Sequence, residues 1–591
     1  MQSGIWPRRK GRTRKVTNPK TTTVNESAPG ADRNSTDRQL LVDAQGRGLG
    51  ATLAVFVRLS GPGWLQSAIT LGGGSLAGAL FLGVLGGTSL LWLQLVAILM
   101  GVIMLSAISY VTLSTGERPF GAINRHINPA LGWGWLIATC MANMIWCMPQ
   151  FSLCYAALQK NLVGPSLGDS TGAKLSISAV LLCATGAVVL MNQRHGAAAK
   201  FFDLFLKMLV GIIVLCFVGV VVYLGIHGRL EWGKILAGFI PDVRQWSQPT
   251  GEVAQLIGAL PESVQEFWRG RVVKEQRAVM IGAAATAVGI NMTFLLPYSM
   301  LSRGWDKPFR GLARFDLCTG MAIPYILVTS CVVIASAATF HAKIDEPFSS
   351  SDPEVMRTSS LFAGAESVLN ARIEHELGSD GYAEIDDQLR LTLVAALPAS
   401  EKRLASSLVR RNAFQLSAAL APLLGQNAAN LVFGIGVFGM GFSTIIILML
   451  INGYAFCEML GRPQGGVPFV IGCLVSGVFG AAWPLLWDGP AKLWLAILAS
   501  SFGMMLLPIA YFTFFVMMNS KRLLGDEKPT GARMIVWNVL MGVSVFGALV
   551  AAATAVYDKA NHPTAGPLVI SVGGIYILIV IVGFIMKSKA A

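Results

Sequence analysis

The sequence predicts an all-α polytopic membrane protein of about twelve spanning helices, and three observations predict it. The first is the placement of charge: no Asp, Glu, Lys or Arg occurs between Arg58 and Glu117, between Arg411 and Glu458, or between Arg533 and Asp558. A helix needs about 20 mostly apolar residues to cross the hydrocarbon layer, so each stretch holds at least one span. The second is composition: 53% of the 591 residues are hydrophobic and only 13% charged, about half the charged share of soluble globular domains. A soluble core has no place for so much apolar surface. The third is a pair of interrupted apolar segments at matching positions, taken up below.

Spans are expected at 60–80, 89–113, 132–158, 174–192, 203–225, 279–302, 317–340, 428–453, 467–487, 492–519, 534–556 and 566–586. Residues 1–50 open with MQSGIWPRRKGRTRKVTNPK and continue rich in Thr, Asn and Ser, too poor in apolar side chains to fold alone; a disordered tail is expected. No apolar core of signal-peptide type follows its basic start. Residues 51–225 form a first unit of five spans, and 279–519 a second. Residues 520–591 add two spans. Insertions at 226–278 and 341–427 interrupt the series, the second carrying EIDDQLRLTLVAALPASEKRLASSLVRRNAFQLSAALAPLL, whose periodicity predicts one or two short amphipathic helices.

Basic residues cluster on alternate loops: Arg118 and Arg125; Arg194 and Lys200; Arg303, Lys307, Arg310 and Arg314; Arg462; Lys521, Arg522, Lys528 and Arg533; then Lys587 and Lys589. The intervening GVLGGTS loop has none. The positive-inside bias therefore predicts both termini in the cytoplasm and both insertions outside, in an integral cell membrane of bacterial cytoplasmic type. The net charge of +14 follows from this topology and does not indicate nucleic acid. Nine cysteines lie mainly in apolar stretches with no CxxC pair, as expected of small buried thiols.

The first span reads LSGPGWLQSAITLGGGSLAGALFLG, with Gly72, Gly73, Gly74 and Ser75 near its middle. Consecutive glycines make a continuous helix costly. The sixth reads MIGAAATAVGINMTFLLPYSMLSRGW, with Gly289, Asn291, Thr293, Leu296, Pro297, Tyr298 and Ser299; Pro297 removes a backbone donor and clashes with the preceding turn. Backbone freed in a membrane must line protein, water or cargo. Discontinuous first and sixth helices in two five-span units are the signature of an inverted-repeat transporter with a site at mid-membrane. Asn143 and Gln150 of span three and Ser443 and Thr444 of span eight are further candidates for that site. Ordinary interhelical bonding, and for Ser443 and Thr444 bonding to their own backbone, is the plainer role.

Neither interruption contains Asp, Glu or His. Asp203, Lys207 and Asp316 lie near span ends, where interfacial exposure is expected. Met292, Met300 and Cys147 offer a soft-metal set, although methionine more often packs.

GPGWLQSAITLGGGS followed by LLW, then LLPYSMLSR and NLVFGIGVFGMGFSTIIILMLINGY, resemble the Nramp family of divalent-metal transporters over about residues 50–340 and 428–586. The resemblance implies the inverted-repeat fold, broken helices one and six, and proton-coupled uptake of Mn²⁺, Fe²⁺ or related ions. The family's Asp-Pro-Gly-Asn falls on Gly72-Gly73-Gly74-Ser75, with only Gly74 shared. Its Met-Pro-His-Asn looks most like Leu296-Pro297-Tyr298-Ser299, with only Pro297 shared. Without the carboxylate, drawing a divalent cation from water is poorly offset, and no proton acceptor is evident. The expected function is alternating-access transport of a divalent cation with atypical selectivity and no standard proton relay. Gly72, Ser75, Tyr298 and Ser299 would offer backbone or hydroxyl contacts, which suit a hydrated ion such as Mg²⁺. A neutral or zwitterionic solute is the alternative cargo, and a non-transporting receptor or assembly protein the alternative role. No enzyme constellation, nucleotide fingerprint or required cofactor is expected; the partners are the lipid bilayer and the small cargo, with the oligomeric state left open.

Overall fold

The computed structural model describes residues 31–193, 197–486, 491–560 and 566–589. The tail through residue 30 and the loop residues Arg194 and His195 lie outside them. Among the described residues every regular element is helical.

Two helices precede the spans, α1 (Ala31–Arg47) and α2 (Leu49–Leu59). The expected disorder of 1–50 therefore fails over 31–47: α1 packs against α2, buries Leu41 fully and sets Arg38 3.3 Å from Asp306. Span one is α3 (Pro62–Thr70) and α4 (Gly73–Gly86), bent by 55° at the glycines. Spans two to five are α5 (Trp92–Thr115), α6 (Pro129–Ala157), α7 (Thr171–Asn192) and α8 (Ala197–Ile226). Span six is α9 (Glu262–Thr286) and α10 (Ile290–Ser302). Span seven runs from α11 (Arg310–Leu317) through a wide turn into α12 (Ile323–Phe340). Then come α13 (Gln426–Met459), the short α14 (Gly466–Ala481), α15 (Ala491–Asn519), α16 (Gly531–Ala560) and α17 (Gly566–Lys589). Eight described helices cross a bilayer on length and composition alone, and ten spans result when bent pairs are included. The 16-residue α14 and span six complete the twelve. Span six falls short on composition because α9 starts well before the expected 279, with Glu262 to Arg277 supplying its charge.

The contacts repeat as an inverted pair of five-span units requires. Helix α4 of span one packs on α12 of span seven, and α9 of span six packs on α5 of span two. Spans three and eight, α6 and α13, pack on each other; α6 also meets α14 and α13 meets α7. The α4–α12 approach depends on a small residue: a Cβ at Gly83 would collide with the carbonyl of Val333, and the Ser336 hydroxyl donates to Leu80 O at 2.7 Å. Such close approach is how helices gain packing energy where lipid is as apolar as the side chains.

The two insertions fold into one helical cap with its own core. Val253, Ile257, Trp268 and Val272 from the first pack with Phe348, Leu369, Leu391 and Leu404 from the second. Helices Asp387–Ala396, Ala399–Ser407 and Ala413–Leu424 occupy the stretch where one or two were expected. Within the cap Glu401 accepts from Trp268 Nε1 at 2.9 Å and Arg372 Nε at 2.7 Å, and Lys402 Nζ donates to Ser350 O and Ala395 O. The cap sits on adjoining ends of α4 and α12, where Arg410 covers the Phe81 ring at 4.5 Å and Arg411 the Phe340 ring at 5.1 Å. On the other face, which carries the Arg- and Lys-rich loops, Arg118 pairs with Glu458 at 3.1 Å.

Candidate functional site

The interruption of span one falls at Leu71 and Gly72, the first of the four expected positions, and Gly73, Gly74 and Ser75 already form the first turn of α4. Gly72 has extended backbone (φ −87°, ψ 178°) and precedes the first turn of α4. A Cβ there would lie 2.7 Å from Thr444 Oγ1 and 3.0 Å from Ile69 O; a Cβ on Gly73 would lie 2.9 Å from Leu153, whereas one on Gly74 meets nothing within 4 Å. Close approach, not positive φ, is thus what requires glycine at the first two positions.

The interruption of span six falls at Ala287, Val288 and Gly289, not at Pro297. Pro297 lies within α10, which continues through Leu296, Tyr298 and Ser299, all buried. Seven residues of helix put Leu296 about 10 Å beyond the break, toward the basic face. Tyr298 stacks on Phe294 at 4.4 Å, and its hydroxyl accepts from Phe120 N at 3.4 Å. The Ser299 hydroxyl donates to Leu296 O at 2.8 Å. The structure therefore does not bring Leu296, Pro297, Tyr298 and Ser299 to the break. A single proline inside an otherwise favourable helix is tolerated when neighbours re-satisfy the freed carbonyl; the chain yields at Gly289 instead, the poorest helix former after proline.

Side chains of α6 and α13 bond to backbone at the interruption of span one and to the Asn291 side chain just past that of span six. Ser443 Oγ donates to Ala68 O at 2.8 Å, with Thr444 Oγ1 3.4 Å from the same carbonyl and 2.7 Å from its own Met440 O. Gln150 Oε1 accepts from Gly73 N at 3.1 Å. From the start of α10, Asn291 Nδ2 donates to Asn143 Oδ1 (3.2 Å), Asn143 Nδ2 to Asn452 Oδ1 (3.3 Å), and Asn452 Nδ2 to Gly472 O (3.2 Å). All three asparagines of this amide relay are buried. Thr293 is also spent: it accepts from Trp135 Nε1 at 2.9 Å and donates to Ile290 O.

Gln66, which the sequence reading passed over, joins the two broken helices. Its Nε2 donates to Met292 O at 3.1 Å, and Thr70 Oγ1, one turn later, lies 3.5 Å from Met292 Sδ. Gln66 is fully buried, and its Oε1 has no hydrogen-bond partner; nor has the buried hydroxyl of Ser67. Ser75 is 9% exposed at the first turn of α4. A lone Gln in an apolar helix reads as a packing residue, and only its orphaned oxygen marks it out. The oxygens gathered here are neutral. Among the described residues no group of three His, Cys, Asp or Glu side chains is arranged to hold a metal ion.

Of the charged residues expected at the interface, Asp316 is buried, whereas Asp203 and Lys207 are partly exposed. Asp316 is 1% exposed and accepts from Gly61 N (3.1 Å), Gly63 N (2.6 Å) and the Ser60 hydroxyl, so it caps the first turn of α3 from another span. Lys207 Nζ donates to Ser60 O at 2.7 Å, and Asp203 pairs with Arg303 at 2.7 Å. Exposure fails at Asp316 because the start of α3 has no cap of its own and needs an acceptor for its free N–H groups.

Comparison with known proteins agrees with this architecture. A profile described as natural resistance-associated macrophage protein-like, Nramp, matches residues 63–352 and 392–554. No curated protein sequence matches the chain. Crystal structures of an Eremococcus coleocola manganese transporter superpose on it. Two point mutants of that transporter each give a TM-score of 0.59 at 13% identity, and its complex with an aromatic bis-isothiourea substituted compound gives 0.57 at 14%. All three alignments cover 90% of this chain and 93% of the other. With the profile spanning most of the sequence and the same fold around both broken helices, the chain belongs to the Nramp family as a divergent member, an integral membrane protein of transporter architecture.

Proposed function

We propose that the protein carries a divalent cation by alternating access, holding it with part of its water shell at the interruption of span one. The observation that supports this most is the orphaned Gln66 Oε1, a buried neutral acceptor tied through its own amide to Met292 of the other broken helix. Ser67 and Ser75, with the carbonyl groups at the C-terminal end of α3, would complete a hard, uncharged oxygen set. Such a set suits a cation that keeps several waters, Mg²⁺ before Mn²⁺, because no carboxylate offsets full dehydration. The Met292 sulfur is already in contact with the Thr70 hydroxyl, which leaves little for a soft metal. The structural relatives are forms of a manganese transporter, so Mn²⁺ stays in the test set.

A zwitterionic solute is the second reading, favoured by the N-termini of α4 and α10 at a site with no acid to repel a substrate carboxylate. Flux in proteoliposomes separates the two. Mg²⁺ or Mn²⁺ uptake without acidification of the lumen, weakened about tenfold in affinity by Gln66→Leu, is the expected result; that factor corresponds to about 1.4 kcal/mol, one hydrogen bond's worth. Cation flux absent from folded protein that accumulates amino acids would overturn the cation reading in favour of the second. Flux of neither class would favour a binding protein without transport.

A further inference from the structure

On the basic face, away from the central site, a cavity of about 760 Å³ opens between the end of α5, α11, the loop joining α15 to α16, and the first turns of α16. Of its two acids, Asp526 and Glu527, the second is committed. Glu527 pairs with Lys307 and, at 2.8 Å, with Arg310, and its carbonyl accepts from Tyr110. Arg310 also stacks over the Tyr110 ring at 4.4 Å, yet its Nε is buried with no hydrogen-bond partner. Arg314, Lys528 and Arg533 line the same cavity, and among the described residues none of them forms an ion pair. Against these three cations stands one uncommitted acid, Asp526. The 30-residue α16 begins at this wall, which adds the free N–H groups of a first helical turn and the positive end of the helix dipole.

We propose that this cavity binds a phosphate-bearing anion. Two arginines, a lysine and a helix N-terminus converging on one volume favour a compact polyanion with several acceptor oxygens over a single carboxylate. The volume holds a headgroup or a small phosphorylated metabolite. Trp537, 6.3 Å from Tyr110, closes the wall with an aromatic face of the kind that settles at a bilayer interface. The source is therefore a lipid phosphomonoester or a soluble phosphate. Because the cavity joins spans two and seven to spans ten and eleven, occupancy would tie these spans together at the basic face.

The full-length protein would be tested with two probes: inorganic diphosphate by titration calorimetry, and nanodiscs of phosphatidylcholine with or without phosphatidic acid by thermal unfolding. Arg314→Gln with Lys528→Gln and Arg533→Gln would be compared with Arg271→Gln, Lys274→Gln and Arg403→Gln, all exposed on the cap side. Binding of diphosphate, stabilisation by phosphatidic acid, or both, with affinity about tenfold lower or more in the first set only, is expected; each charge-assisted contact is worth that much or more. Diphosphate alone identifies a soluble source and phosphatidic acid alone a lipid one. The proposal fails if neither probe binds wild type, or if the first set binds like the second. Neither readout depends on transport, so failure here leaves the central-site reading standing.

Discussion

Among single residues, the three consecutive glycines are not equivalent, although the sequence offers no way to rank them. Gly72→Ala would drive a methyl group against Thr444 and the Ile69 carbonyl, and Gly73→Ala against Leu153, while Gly74→Ala meets open space. Replacing Gly72 should therefore abolish cargo binding and destabilise the fold by about 1–3 kcal/mol through overpacking. Gly74→Ala should leave stability within about 0.5 kcal/mol, as for a site free of contacts. Thermal unfolding and ligand binding on the purified variants measure both, and equal losses would show that the approach of Thr444 does not set the break. The glycines were legible because no other residue fits such a break cheaply. Gln66 was not, because its role rests on a partner 226 residues away in sequence, and no local pattern reports that.

The half-helices show the same division between what is local and what is not. The interruption of span one could be placed from three glycines, but that of span six could not, since Pro297 is the stronger breaker in isolation and Gly289 the weaker. Packing decided it: the proline is held within α10, and the amide relay from Asn291 to α14 fixes the chain just past Gly289. The start of α3 depends on a neighbouring span in a comparable way, through Asp316. Asp316→Ala would leave the N–H groups of Gly61 and Gly63 without their acceptor in a buried setting. The expected cost is about 2–4 kcal/mol, from two unmet donors and a lost charge at a helix N-terminus. Asp316→Asn, which keeps one acceptor oxygen, should lose less. Because α3 is then held by fewer contacts, a thiol placed by Trp64→Cys should react faster with a polar maleimide in the Asp316→Ala background. An unchanged labelling rate together with unchanged melting would rule out this capping role.

For the whole molecule, the twelve spans and the inverted pairing were readable because charge placement and span spacing are long-range patterns imposed by the bilayer itself. The cap was not: its core joins apolar residues from two insertions, each of which alone resembles a polar loop. Its junction with the bundle contains a titratable group. His341 is 7% exposed; its Nδ1 lies 2.9 Å from Val84 O, so this nitrogen carries the proton, and Nε2 is buried with no partner. Burial is the main cause holding this imidazole below the usual histidine range. The Val84 carbonyl and Glu252 oppose the shift, while Lys343 and Lys234 reinforce it. The unfolded chain therefore binds a proton more readily than the folded one, so stability rises with pH across the interval below the ordinary value of about 6.5 and is lost as pH falls through it. One proton sets the upper limit at about 1.4 kcal/mol per pH unit. The protection of amides in the cap and in α4, their hydrogen-exchange rates divided by the intrinsic rate at each pH, should fall between pH 7 and pH 5, taken as about one and a half units below the free value, in wild type. In His341→Asn, which can still donate to Val84 O, the pH dependence should be lost. A loss of protection of the same size in that variant would assign the effect to groups other than His341, and would mean that acid weakens the cap from within and not at its seat on the bundle.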